Sequence, residues 1–319
     1  MNLLEVKRNK VTRGVGNKHF LFYGDPGTRK TSVASLFPDS LILATEIGYK
    51  QIPDAAAVDI DSWATFLQVL NELKKPEVKA AYKTIILDTV GILSDLCVQY
   101  VCNVNGIKSL DELGFGKGWN KYKTDFNRAI NTIAQNGYSI VFIAHAEIKR
   151  DNDGNITSIE PRIDRRPRET IEALTDFIFY LQKEEHNGKD TVIAYSNLPQ
   201  NIMTKTRIRG LAPSFEFTFE NVEKEINNAL DNYGTIYNGA EVGEEVNGED
   251  MSAKLVPFEE IKAQTIEIAK KFLAEDSPYS EKATQIILSS MGGVAISEAP
   301  SSYRQILIDL QQELKNLEA

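Results

Sequence analysis

Cysteine is nearly missing from this chain. Cys97 and Cys102 are the only two in 319 residues, and their spacing in a helical-looking run fits neither a disulfide framework nor a zinc site. Both are expected in the core. Long hydrophobic runs are missing as well: nothing approaches the ~18 apolar residues of a membrane helix, and the opening MNLLEVKRNK carries no secretory apolar stretch. The expectation is a cytoplasmic protein with no membrane contact. Positive charge is in deficit, with 36 Lys and Arg against 45 Asp and Glu and a formal net charge of −9. The molecule as a whole is therefore no general binder of nucleic acid, which leaves only a local basic loop for that purpose. With 42% hydrophobic and 25% charged residues the composition is ordinary for a globular protein, so its class must come from pattern.

Short apolar, β-branched runs alternate with longer amphipathic segments from His19 to about Gln182. That is the pattern of an α/β fold with a mostly parallel sheet flanked by helices. Strands are predicted at His19–Tyr23, Ser40–Thr45, Thr84–Asp88, Tyr138–Ala144 and Phe177–Gln182. Trp119, Tyr122, Phe126, Ala129, Ile130 and Ile133 recur at helical spacing and should cover a sheet face until Asn136-Gly137 ends the helix. The Gly-rich stretch between Asn105 and Gly118 should break any helix. Asp190–Tyr195 reads as an antiparallel arm, reversed at His186-Asn187-Gly188. Residues 238–252, NGAEVGEEVNGEDMS, are acidic and Gly-rich like a linker, which divides the chain into a main domain over 1–237 and a small helical domain over 253–319. The latter should hold helices at Phe258–Leu273, Glu281–Met291 and Tyr303–Leu317.

The segment HFLFYGDPGTRKTSVASLF is an apolar strand, a Gly-rich turn and a helix start. This is the context of a P-loop. Backbone amides of Gly24, Asp25, Pro26, Gly27, Thr28, Arg29, Lys30, Thr31 and Ser32, proline excepted, would surround the phosphates of ATP. Lys30 would supply a point charge to the β and γ phosphates, and the Thr31 hydroxyl would ligate Mg²⁺. One position departs from G-x-x-x-x-G-K-[ST]: Arg29 stands where glycine is expected. If the loop requires a positive φ there, the residue carries roughly 1–2 kcal/mol of strain; if not, it adds a second cation beside the phosphates.

Tyr82 to Thr89 is a buried-looking strand ending in Asp88, the place for a carboxylate that organises Mg²⁺, with Thr89 beside it to orient water or the metal shell. Parallel strands end at one crevice, so Glu46, after the strand that follows the P-loop, should converge on the same site as a candidate general base. His145, after the fourth strand, should reach the same rim as a sensor of the γ-phosphate. Downstream, Arg162, Arg165, Arg166 and Arg168 lie on what reads as a flexible, Pro-containing stretch suited to phosphate contacts, with DNA or with a neighbouring nucleotide. Lys205 and Arg207, far in sequence from the P-loop, suit a finger reaching across a subunit interface.

In YGDPGTRKTS, ATEIGYK, YKTIILDT, FIAH, ALTDFIFYL and KTR, over about Lys18 to Phe219, the chain resembles the phage-encoded RecA-like ATPases of the Sak type. These are AAA-type ATP-binding proteins with single-strand annealing or recombination roles. The resemblance implies a RecA-like, five-stranded core with an extra strand between those of the P-loop and Asp88, Glu46 as catalytic base and His145 as sensor. Lys205-Thr206-Arg207 is similar to the K-x-R finger of KaiC-like and RadA-like proteins, which acts in trans. The implied protein is a homo-oligomeric ATPase on single-stranded DNA in the host cytoplasm, with single-strand-binding or other phage replication proteins as further partners. The rival reading is a nucleotide switch or loader with little or no hydrolysis, favoured by the −9 charge and by Arg29.

Overall fold

Apolar residues run unbroken through the central strands because both faces of the sheet are covered. The computed structural model describes residues 11–186, 189–198, 201–231, 242–243, 258–274, 277–299 and 303–317. The chain forms two compact units, Met1–Glu249 and Asp250–Ala319.

In chain order the strands of the first unit are β1 (Val11–Thr12), β2 (His19–Gly24), β3 (Ser40–Ala44), β4 (Ala57–Asp59), β5 (Thr84–Asp88), β6 (Ser139–Ala144), β7 (Ala146–Arg150), β8 (Ile156–Pro161), β9 (Phe177–His186), β10 (Lys189–Tyr195), β11 (Lys205–Thr206), β12 (Ser214–Glu216) and β13 (Val242–Gly243). The main sheet runs β12-β10-β9-β2-β6-β5-β3-β4, with β11 also paired to β9. From β9 to β4 every pairing is parallel, and β10, β11 and β12 are antiparallel additions. The parallel core has six strands where five were expected; the sixth, β4, escapes notice because Ala-Val-Asp is short and only partly buried. β6 lies between the P-loop strand β2 and β5.

Successive residues face opposite sides of the sheet. Leu21, Leu43, Ile85, Phe142 and Ile178 face one side, packed with buried residues of α2 (Trp63–Glu72), α4 (Val90–Asn105) and α5 (Lys117–Gln135). Phe22, Ile42, Ile86, Val141 and Phe179 face the other, toward α1 (Lys30–Ala34) and α7 (Phe219–Asp231). The α5 stripe of Tyr122, Phe126, Ala129, Ile130 and Ile133 is buried as its spacing predicts. Cys97 and Cys102 are buried on α4 as free thiols. Between α4 and α5 the Gly-rich stretch does interrupt the helices, with Gly106 ending α4 in the left-handed conformation and a short 3-10 turn at Leu110–Leu113.

Of the reversal expected at His186-Asn187-Gly188, residues 187 and 188 lie outside the described residues; β9 and β10 pair on either side of them. The predicted linker over 238–252 lies outside as well, except Val242–Gly243, which pair in parallel with β1. That pairing uses backbone groups alone and leaves no side-chain signature. The second unit gathers α8 (Phe258–Phe272), α9 (Ser280–Met291) and α10 (Arg304–Lys315) around Ile261, Ala269, Phe272, Met291, Leu307 and Leu310.

Candidate functional site

The parallel register sets the site. Ala44 lies opposite Asp88, Asp88 opposite Ile143, and Tyr23 opposite Ala144, so the residues that follow β2, β3, β5 and β6 emerge together on one rim. Gly24 must be glycine there: a Cβ would stand 2.3 Å from the Leu181 carbonyl oxygen of the adjacent β9.

The loop from Asp25 to Arg29 turns through Gly27 (φ 78°) and Arg29 (φ 58°). Of the two alternatives for Arg29, the positive φ is the one adopted, with its strain of roughly 1–2 kcal/mol. The Arg29 side chain is exposed and has no hydrogen bond or ion pair among the described residues. The helix that follows, α1, is only five residues long, so anion binding here would rest on loop amides and side-chain cations, with little helix dipole behind them.

Lys30 is 7% exposed, and its ammonium donates to the carbonyls of Gly24 (2.9 Å) and Asp25 (2.8 Å) and to Thr28 Oγ1 (2.9 Å). Burial pushes its pKa down to about 8, against the attraction of Asp88, Asp25 and Glu46. The Thr31 hydroxyl donates to Asp88 Oδ2 at 2.7 Å. Burial also raises the Asp88 carboxyl, the Thr31 hydrogen bond opposes that shift, and the Glu46 charge adds to it. Two hard oxygens side by side suit Mg²⁺. That ion commonly takes one or two protein oxygens and completes its shell with phosphate and water.

Glu46 Oε1 lies 3.2 Å from His145 Nε2, both partly exposed, while His145 Nδ1 is buried with no partner among the described residues. Thr45 ties the end of β3 to the end of β5, its hydroxyl accepting the Thr89 amide at 2.9 Å and its own amide donating to the Asp88 carbonyl at 2.7 Å. Thr89 is 2% exposed, so its position is that of a strand-end fastening, not of a group open to water. One group at this rim has no signal in the sequence. Lys183 on β9 brings its Nζ to within 2.9 Å of where a Cβ on Gly27 would stand. Only the pairing of Gly24 with Leu181 puts it there.

The other predicted cations lie elsewhere. Glu147 to Thr170 is not a flexible loop: β7 and β8 form a hairpin closed onto His145, whose carbonyl accepts the Arg162 amide at 2.8 Å, and Arg165–Leu174 is a helix, α6. Asp164 caps it by accepting from the Arg166 amide, and Pro167 sits in the first turn, where proline is compatible with helix. Arg168 binds Glu160 at 2.6 Å and lies 3.5 Å from Glu172; Arg166 lies 4.0 Å over the Trp119 ring; Arg165 faces Glu169 at 3.2 Å. Arg162 is exposed.

Lys205 and Arg207 are held at the opposite end of the sheet. Thr206 pairs with Phe177 at the start of β9, about four residues or ~13 Å along the strand from Leu181 beside Gly24. Lys205 donates to the Glu172 carbonyl, and Arg207 donates to Asp176 at 3.0 Å and to the Ala173 carbonyl. Within one chain neither meets the P-loop.

A parallel sheet with a phosphate-type loop after β2, and a hydroxyl and a carboxylate in contact at its rim, is the core of a P-loop NTPase. The chain belongs to the AAA domain family, whose model matches residues 16–208, and nucleotide-binding ATPase chemistry is the class that this membership carries. It is also similar to the SPbeta prophage-derived uncharacterized protein YorG of Bacillus subtilis (strain 168), at 26% identity over 315 residues, covering 96% of this chain and 95% of that protein. Among the described residues no helix is long and apolar enough to cross a membrane.

Proposed function

We propose that this chain is a phage-encoded, Mg²⁺-dependent ATPase of RecA-like type that acts on single-stranded DNA in recombination, annealing or replication in the host cytoplasm. The observation that carries the nucleotide half is the 2.7 Å hydrogen bond between Thr31 and Asp88 beside the buried Lys30. Lys30 exchanges its neutral loop partners for phosphate oxygens, and Thr31 with Asp88 holds Mg²⁺, which when bound would neutralise charge on the phosphates. Glu46 accepts the proton of the attacking water, and His145, 3.2 Å away, orients that carboxylate and reports the state of the site to the β7–β8 hairpin it closes. The DNA half rests on the exposed Arg162 and Arg165 and on the prophage origin in the relative's name. Lys205 and Arg207 serve a neighbouring copy's site, which makes the working form a homo-oligomer.

The test is ATP turnover with and without single-stranded DNA at several protein concentrations. Stimulation by DNA, rising with concentration, is expected; turnover indifferent to both would sink the DNA and assembly parts. A second reading, a nucleotide switch without hydrolysis that binds a replication partner, is supported by the strained Arg29 at φ 58°. Tight ATP binding with no turnover under any condition would favour it.

A further inference from the structure

Phe177, Phe179 and Leu181 on β9 point to the face covered by α1 and α7. Lys183 is the next residue in that alternation and, because Leu181 flanks Gly24, it emerges one step beyond the end of β2, over the loop. Its ammonium stands at the Gly27 apex, 2.9 Å from the position of a Cβ there, and glycine is what leaves it room. Neither Lys183 nor Arg29 has a carboxylate partner among the described residues, although ion pairs are common elsewhere on this surface. Two cations, Lys30 from within and Lys183 over the apex, thus stand at one small loop, whose Arg29 is exposed. Like charges so placed repel unless an anion lies between them.

We propose that Lys183 is a phosphate ligand supplied by β9 of the same chain, placed to contact the terminal end of a nucleoside triphosphate. The inference rests on the reading of Gly24 to Thr31 as a phosphate loop. A P-loop lysine reaches the β and γ phosphates, and an ammonium standing over Gly27, at the apex of the same loop, is placed to meet the phosphate chain that the loop would hold. It also gives this site a cation in cis at the rim, where Lys205 and Arg207 do not reach.

The full-length protein is titrated with fluorescent ATP and ADP analogues in the presence of Mg²⁺. Lys183→Gln should weaken ATP by about tenfold and ADP by about threefold or less, Lys183→Glu should weaken ATP further, and Lys183→Arg should bind within about threefold of the wild type. The thermal midpoint of Lys183→Gln without nucleotide should not fall, since the side chain is exposed and its loss relieves repulsion with Lys30. Unchanged ATP affinity in Lys183→Gln, or equal losses for ATP and ADP, overturns the inference. Lys30→Ala separates the two levels of argument. If it abolishes binding while Lys183→Gln does not weaken it, only Lys183 is misassigned; if Lys30→Ala binds like the wild type, the phosphate-loop reading fails and Lys183 falls with it.

Discussion

Two basic clusters lie on this chain, and they differ in what the cations touch. At the loop, Lys30 is bonded to two backbone carbonyls and a hydroxyl, while Arg29 and Lys183 have no carboxylate partner among the described residues. Along β8 and α6, four arginines stand among four carboxylates: Glu160, Asp164, Glu169 and Glu172 share the stretch with Arg162, Arg165, Arg166 and Arg168. Arg168 is committed to Glu160, which also binds Lys149 at 2.8 Å, and the two hydrogen bonds hold the Glu160 carboxyl below its usual range. A cation solvated by neutral dipoles keeps its charge for an incoming anion. One paired with a carboxylate must first give up that partner, so Arg168 is a weaker phosphate attractor than the exposed Arg162 and Arg165 of the same run.

The strongest way to break this comparison is Lys30→Ala. It should lower ATP affinity at least about a hundredfold, or ~2.7 kcal/mol, because the loop amides alone do not balance a triphosphate. Nucleotide titration decides it, and retained affinity would put the anion site elsewhere. Next in size is Glu46→Gln, which should keep ATP and Mg²⁺ binding yet slow hydrolysis by about 10²–10⁴-fold, the usual share of general-base assistance. If steady-state turnover matched the wild type, Glu147 would be the next base to try.

On the paired side, Arg168→Ala should cost about 1–2 kcal/mol of stability, since its guanidinium is 16% exposed and bonded to a carboxylate that is itself 26% exposed. Arg165→Ala, with a side chain 83% exposed, should stay within about 0.5 kcal/mol. Urea midpoints of the two variants compare them directly. Equal losses would mean that α6 does not depend on the Glu160 contact. Arg165→Ala should also weaken single-stranded DNA binding, and unchanged binding would remove Arg165 from the proposed nucleic-acid surface.

The main strands are legible in sequence because a strand buried on both faces reads as an apolar run, and one rule, that parallel strands share an end, brings Glu46, Asp88 and His145 to the loop. Short elements are not legible. β4, β11 and β12 have two or three residues each and are defined by backbone pairing. The α6 helix was hidden by Pro167 and its arginines, which read as a loop until Asp164 is seen to cap it. Lys183 was hidden for a different reason: in sequence it is only the polar end of a strand, and its neighbours Gly27 and Lys30 come from the other side of the chain. Local motifs announce a site; the partners that complete it depend on tertiary register.

The smallest effect sharpens the comparison most finely, because Arg29 combines a backbone cost with a charge. Its φ of 58° is one that glycine adopts freely and an alanine does not, so Arg29→Gly relieves the strain and removes the cation, whereas Arg29→Ala removes the cation alone. The glycine variant should therefore be more stable than the alanine variant by about 1 kcal/mol, less whatever the freer unfolded chain returns. Both should bind ATP within about threefold of the wild type, since no contact among the described residues sets the Arg29 guanidinium against the loop as Lys183 Nζ is set against Gly27. Thermal unfolding ranks the pair and titration gives the affinities. Equal stability of the two would remove the strain argument. A tenfold or larger loss of ATP affinity in both, about 1.4 kcal/mol, would instead make Arg29 a phosphate ligand in its own right, and the loop would then hold its anion with the cation that its sequence most departs from the motif to provide.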